Sequence, residues 1–288
     1  MLGILLIDKR RGCSSHDVVD AVRRRLQTRR VGHAGTLDPL ASGLLVVAVG
    51  PATRFLQYLP LEPKVYVGDF TFGVETSTMD AEGEIVAQKD PPPDLEGQIL
   101  EAIPAFTGLI QQLPPMFSAV KKDGKPLYAY ARAGQEVERK PRTVHIGSIE
   151  PLGVDGPVAT LRVVCSGGTY VRTLANDLVR HIGCGAHLSG LRREAVGKFH
   201  VEDALAPDEA AASRIIPLKN ALPPVPVLQV DAEQVRMFRE GRQVELDGKA
   251  GQPLVALAGP SGEVFGIART VGTALQPECV IPAEAVDG

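Results

Sequence analysis

The sequence predicts an α/β (α+β) chain with a small C-terminal β-barrel, and three observations carry that reading. Two stretches, Lys64–Gly73 and Ala159–Ser166, alternate apolar and other residues with the period of a half-buried strand. Two others carry apolar stripes at helical spacing: Val18, Val19, Val22 and Leu26, then Val171, Leu174, Ala175 and Leu178. A Pro-rich segment from Ile216 to Val227 then gives way to short strand-like runs separated by glycine turns.

Taken in order, Leu2 to Ile7 reads as a strand, and Asp8-Lys9-Arg10-Arg11 breaks it too early for a secretory signal. Ser14 and Asp17 stand at capping-box spacing and start the first helix. Its polar face and exit carry Arg23, Arg24, Arg25, Arg29 and Arg30, either a solvated face or a phosphate-binding one. The stretch Gly32-His33-Ala34-Gly35-Thr36-Leu37-Asp38-Pro39-Leu40-Ala41-Ser42-Gly43 reads as a loop before the buried strand Leu44–Val49. Pro39 restricts Asp38 to extended conformations, so a carboxylate is held at the start of a core strand, as an Asp-Pro turn or as an aimed reactive group.

In the strand at Lys64–Gly73, Tyr66, Phe70 and Phe72 share one face. Lys89-Asp90-Pro91-Pro92-Pro93-Asp94 is a stiff linker before a helix ending about Phe106. Between Gln112 and Arg142, basic residues alternate with Tyr128 and Tyr130, which suits RNA phosphates and bases or a snorkelling surface helix. The second striped helix starts near Tyr170 and ends at Ile182-Gly183.

The net charge is -3, yet residues 1–30 hold eight Lys/Arg against three Asp/Glu, and residues 121–142 hold seven against three. Residues 231–288 reverse the balance, with five against nine. A polyanion needs only a local positive surface, so the global sign does not exclude nucleic acid. The four cysteines, Cys13, Cys165, Cys184 and Cys279, form no Cys-x-x-Cys pair, which argues against zinc and for reduced thiols in the cytoplasm. No glycine-rich phosphate loop or His/Cys metal cluster occurs, so no cofactor or metal is expected.

The stretch Gly32–Gly43 closely resembles the catalytic motif of the bacterial tRNA pseudouridine-55 synthases, the TruB family. Lys64-x-Tyr66, Thr76–Gly83, Cys165–Leu174 and Gly185–Arg193 resemble further motifs of that family in order and spacing. Ser77 stands where the family usually has Asp. The resemblance implies a catalytic domain at 1–226 with a mixed, largely antiparallel sheet flanked by helices. It further implies an RNA-binding thumb at about 112–145 and a PUA-like β-barrel at 227–288. It makes Asp38 the nucleophile, Arg172 its partner, and Tyr66 the residue that stacks on the uracil and is a candidate proton acceptor. His33, Lys64, Tyr170, Leu191, Arg23, Arg24, Lys121, Arg132 and Arg142 become substrate-binding residues.

The implied partner is the T-arm of tRNA, met by a monomer without an obligatory protein partner and away from membranes. Arg172 beside Asp38 is expected to lower the carboxyl pKa. The alternative is a tRNA-binding or tRNA-folding protein without chemistry. A glycoside hydrolase would need a second catalytic carboxylate, and no motif nominates one.

Overall fold

The computed structural model describes residues 1–245 and 253–283. In chain order its elements are β1 (Gly3–Lys9), α1 (Ser15–Leu26), β2 (Val31–Ala34), β3 (Ala41–Val49) and β4 (Lys64–Phe72). There follow β5 (Val74–Thr76), β6 (Ile85–Gln88), α2 (Leu95–Ala102), β7 (Gly108–Gln112), β8 (Lys121–Lys122), β9 (Lys125–Pro126) and α3 (Leu127–Arg132). Next are β10 (Arg142–Asp155), β11 (Val158–Cys165), α4 (Val171–Ile182), β12 (Ala186–Val196), β13 (Phe199–His200) and α5 (Leu218–Ala221). The last are β14 (Val227–Gln229), α6 (Ala232–Arg239), β15 (Val244–Glu245), β16 (Leu254–Ala258), β17 (Val264–Val271) and β18 (Ala274–Val280).

The first sheet runs β1-β3-β12-β4-β11-β10-β7, with β2 beside β3 and β13 beside β12. Its pairs are antiparallel except β12 with β3. That parallel seam joins the N-terminal strands to the rest of the sheet, and the functional site forms at its edge.

Strand β3 is apolar from Leu44 to Val49 because both its faces are covered there. Leu45, Val47 and Val49 pack with Val18, Val19, Val22 and Leu26 of α1. Leu44, Val46 and Ala48 meet Phe55, Leu218, and Ala256 and Ile267 of the C-terminal sheet. Helix α1 begins with the expected reciprocal box, in which Ser14 and Asp17 cap each other's backbone N–H. Helix α4 lays Leu174, Ala175 and Leu178 onto Phe70, Phe72 and Leu161. It stops at Gly183, whose φ of 87° is the left-handed turn that ends helices cheaply at glycine.

The C-terminal strands form a sheet in the order β14-β16-β17-β18-β15, with α6 packed against its own small core. This sheet also touches the N-terminal part of the chain, since Arg54 donates to the Val280 carbonyl at 2.9 Å. The Pro-rich segment begins with Ile216, laddered to Ile4 by two backbone hydrogen bonds of 2.8 and 2.9 Å. The end of the tail, placed near Ala285 from sequence, lies outside the described residues.

Candidate active site

Asp38 sits in the loop between β2 and β3, and backbone contacts hold that loop. Ser15, at the start of α1, accepts from the Leu37 N–H at 2.9 Å and donates to the Leu37 carbonyl at 3.1 Å. Gly12 N–H donates to the Pro39 carbonyl at 2.8 Å. Asp38 therefore follows a residue that is pinned from both sides.

The carboxylate meets Arg172, the second residue of α4, at 2.8 Å. The guanidinium side chain is only 5 % exposed. A cation at a helix N-terminus opposes the helix dipole, and the structure supplies two compensating carboxylates. Nη1 of Arg172 lies 3.0 Å from Asp80, while Nη2 reaches Asp38 and donates to the Phe117 carbonyl at 3.0 Å. Asp80 is itself buried and accepts from the Thr78 hydroxyl at 2.6 Å and the Glu82 N–H at 3.1 Å. One buried arginine thus serves two carboxylates, and Asp80 keeps it in place.

This sharing reverses one expectation. The Asp38 carboxyl is pushed above its ordinary range, because burial outweighs the attraction of Arg172 and Asp80 adds repulsion. The sequence shows Arg172 as a partner; it does not show that Asp80 competes for it.

A cavity of about 500 Å3 opens beside Asp38, and it brings together Lys64, Tyr66, Arg132, Tyr170, Arg172 and Leu191. Tyr66 is buried on β4, and burial pushes its phenol up. Lys64, two residues earlier, has its ammonium pushed down by burial and by nearby Arg193. Tyr170 caps α4, and the buried Gln112 side chain grips its peptide, accepting from its N–H at 3.0 Å and donating to its carbonyl at 3.3 Å.

His33, Arg23, Arg24, Lys121 and Arg142 do not line the cavity. Arg23 is turned to internal partners, Asp20 at 3.0 Å and the Val31 carbonyl at 3.0 Å, where it ties α1 to β2. Arg24, Lys121 and Arg142 are exposed. His33 lies on β2, half buried, with its pKa held down by burial and by Arg193, so the ring is neutral at pH 7. Over the cavity, the thumb stretch carries α3, where the Arg132 guanidinium lies 5.6 Å from the Tyr128 ring.

Sequence reasoning misses Asp80, Gln112 and Phe117. Asp80 is visible in the Thr-x-Asp-Ala-x-Gly turn, but neither it nor the other two carries a signal that it reaches Arg172 or α4.

The family model for the TruB family pseudouridylate synthase (N terminal domain) matches residues 23–171. The chain is 44% identical to a tRNA pseudouridine synthase B of Cupriavidus metallidurans, covering 97% of this chain and 94% of that protein. It is 43% identical to a tRNA pseudouridine synthase B of Aromatoleum aromaticum, covering 98% and 94%. A solved Cbf5-Nop10-Gar1 complex contains a chain similar in fold, with a TM-score of 0.70 and 28% identity over 98% of this chain and 86% of that one. The sheet is that of a pseudouridine synthase fold. The chain belongs to the TruB family.

Proposed function

We propose that this chain isomerises uridine 55 in the T-loop of tRNA to pseudouridine, with Asp38 as the catalytic nucleophile. The observation that carries this reading is the Asp38–Arg172 pair at 2.8 Å on the wall of a cavity shared with Tyr66 and Leu191. The names and coverage of the relatives point the same way. In the reaction the N1–C1′ bond breaks, the uracil turns, C5 joins C1′, and the C5 proton is released while N1 regains one. Atoms and oxidation state balance, so the chemistry calls for no redox cofactor.

Asp38 must be ionised to act as a nucleophile. Arg172 holds the carboxylate in one orientation and compensates its charge, while Asp80 keeps the arginine from turning away. Tyr66 presents an aromatic face and a hydroxyl to the base, and is the candidate acceptor of the C5 proton. Leu191 and Tyr170 supply the apolar wall.

The uracil reaches Asp38 only by leaving its stack, at a cost of a few kcal/mol that RNA contacts offset. Neutral His33 suits packing into the opened loop. Lys64, Arg132, Lys121, Arg142 and Arg24 supply positive charge. Arg23 contributes through the position of α1, its Nη1 and Nη2 being turned to Asp20 and the Val31 carbonyl. We place the enzyme in the cytoplasm as a monomer acting on tRNA, consistent with four free cysteines.

The test is release of tritium from a tRNA transcript labelled at uracil C5. Release is expected from wild-type tRNA and none from a transcript with cytidine at position 55. No release despite tRNA binding would favour a binding protein without chemistry.

The raised Asp38 pKa predicts an acid limb in the pH–rate profile. The nucleophile is lost as pH falls through its raised value, so the midpoint lies above the ordinary Asp value of about 3.9. Single-turnover rates across pH check this, and a midpoint at or below that ordinary value would contradict it.

A further inference from the structure

The clearest unexplained group is Arg193. It is fully buried within β12. Its Nε donates to the Leu44 carbonyl at 2.8 Å and its Nη2 to the Gly35 carbonyl at 2.8 Å. These two carbonyls flank the loop that carries Asp38.

Across the sheet Arg193 stands opposite Gly43 of β3 and opposite Tyr66 of β4. Directly opposed residues of a ladder are near neighbours, so Arg193 and Tyr66 adjoin across the sheet. Both glycines that bracket the loop abut this residue. A Cβ on Gly43 would lie 2.3 Å from the Arg193 carbonyl oxygen, and one on Gly35 would lie 3.4 Å from its Nη1. Gly35 also has φ +72°, where side chains are disfavoured.

We infer that Arg193 is a positioning residue for the reaction: its planar fork straps the two ends of the Asp38 loop together and holds that loop in register with Tyr66. This rests on the catalytic reading of Asp38 above. A lysine carries the charge on a single ammonium and lacks the rigid fork that spans two carbonyls. Loss of the strap lets the loop shift and loosens the 2.8 Å contact of Asp38 with Arg172. The charged groups that act on Asp38 are Arg172 of α4, Asp80 of the turn after β5, and Lys9 of β1, with Tyr66 of β4 also coupled to it. With Arg172 loosened and burial unchanged, the Asp38 midpoint moves up.

Arg193→Lys tests this. The expected result is a tRNA Kd within threefold of wild type, a single-turnover rate lowered at least 100-fold per active site, and an acid limb displaced to higher pH. A purely structural role would lower the melting temperature and the active fraction, but leave the pH midpoint of the remaining active enzyme where it is. That outcome, or an unchanged rate in a folded variant, overturns the inference. Should Arg193→Lys not fold, Gly35→Ala presses on the same guanidinium from the loop side. The same upward displacement is expected of it, and an unmoved midpoint would overturn the strap. Wild-type protein that forms no pseudouridine would instead overturn the underlying catalytic reading.

Discussion

Asp38→Asn is expected to abolish pseudouridine formation, slowing single turnover by at least about 10^4-fold, while tRNA binds within threefold of wild type. An amide is nearly isosteric with the carboxylate but is not a nucleophile at any working pH. The loop does not depend on the charge. Ser15, Gly12 and Arg193 hold it through the backbone of Leu37, Pro39, Gly35 and Leu44. The amide oxygen still accepts from Arg172, so the cavity wall keeps its shape.

Stability should hold or rise at pH 7. The folded-state pKa of Asp38 lies above its unfolded value, so the native state binds more protons between the two values. Stability from this group is therefore lost as pH rises through that window, and at pH 7 the burial of the charge opposes folding in full. Asparagine removes that opposition. The measurement pairs tritium release with a filter-binding isotherm and a thermal melt. Turnover at the wild-type rate would remove Asp38 from the chemistry, and loss of binding would make it an RNA contact instead.

The parts of this site that are legible in sequence are those whose local pattern carries the meaning. The resemblance of the glycine-bracketed loop to a family motif marks Asp38, whereas its Asp-Pro pair alone reads as a turn or as an aimed group. Period-two spacing places Tyr66 on the face of Phe70 and Phe72, and those three are buried together. The position of Arg172 beside a helix N-terminus calls for an acidic partner.

What is not legible depends on contacts between distant segments. Strand β12 is central to the sheet, yet nothing in the sequence around Arg193 signals that it is buried there. Arg193 is buried because two backbone carbonyls receive its donors, and only the sheet order reveals that. Gln112 and Asp80 are hidden for the same reason, being 58 and 92 residues from the groups they hold. The direction of the Asp38 pKa shift needs both burial and the second carboxylate, neither of which a pairwise reading contains. The Pro-rich segment has the composition of a domain boundary, and its first residue is laddered to β1.

Arg172→Met should then destabilise the protein and stop turnover together, and the two effects can be separated. Methionine approximates the length of the side chain but leaves Asp80 buried without its cation, as well as removing the partner of Asp38. Breaking a buried ion pair by removing one member costs about 3–5 kcal/mol. The lower end is expected here, because Asp80 keeps two hydrogen-bond donors and the Asp38 side chain is 41 % exposed. Two backbone acceptors, the carbonyls of Thr78 and Phe117, also lose the guanidinium, so the base of the thumb loosens.

The pH dependence identifies the cause. Without Arg172 the Asp38 carboxyl rises further, since the one strong attraction opposing its burial is gone. Its stability penalty then extends over a wider window and fades as pH falls and the carboxyl is neutralised. Urea melts at pH 5 and pH 8 should show a smaller deficit against wild type at pH 5, and any residual turnover should have its acid limb displaced upward. The double variant Asp80→Asn/Arg172→Met should recover part of the lost stability by removing the stranded charge, yet recover no turnover. A deficit equal at both pH values, or a double variant less stable than the single, would mean that Arg172 supports the fold by packing and not by holding these two carboxylates.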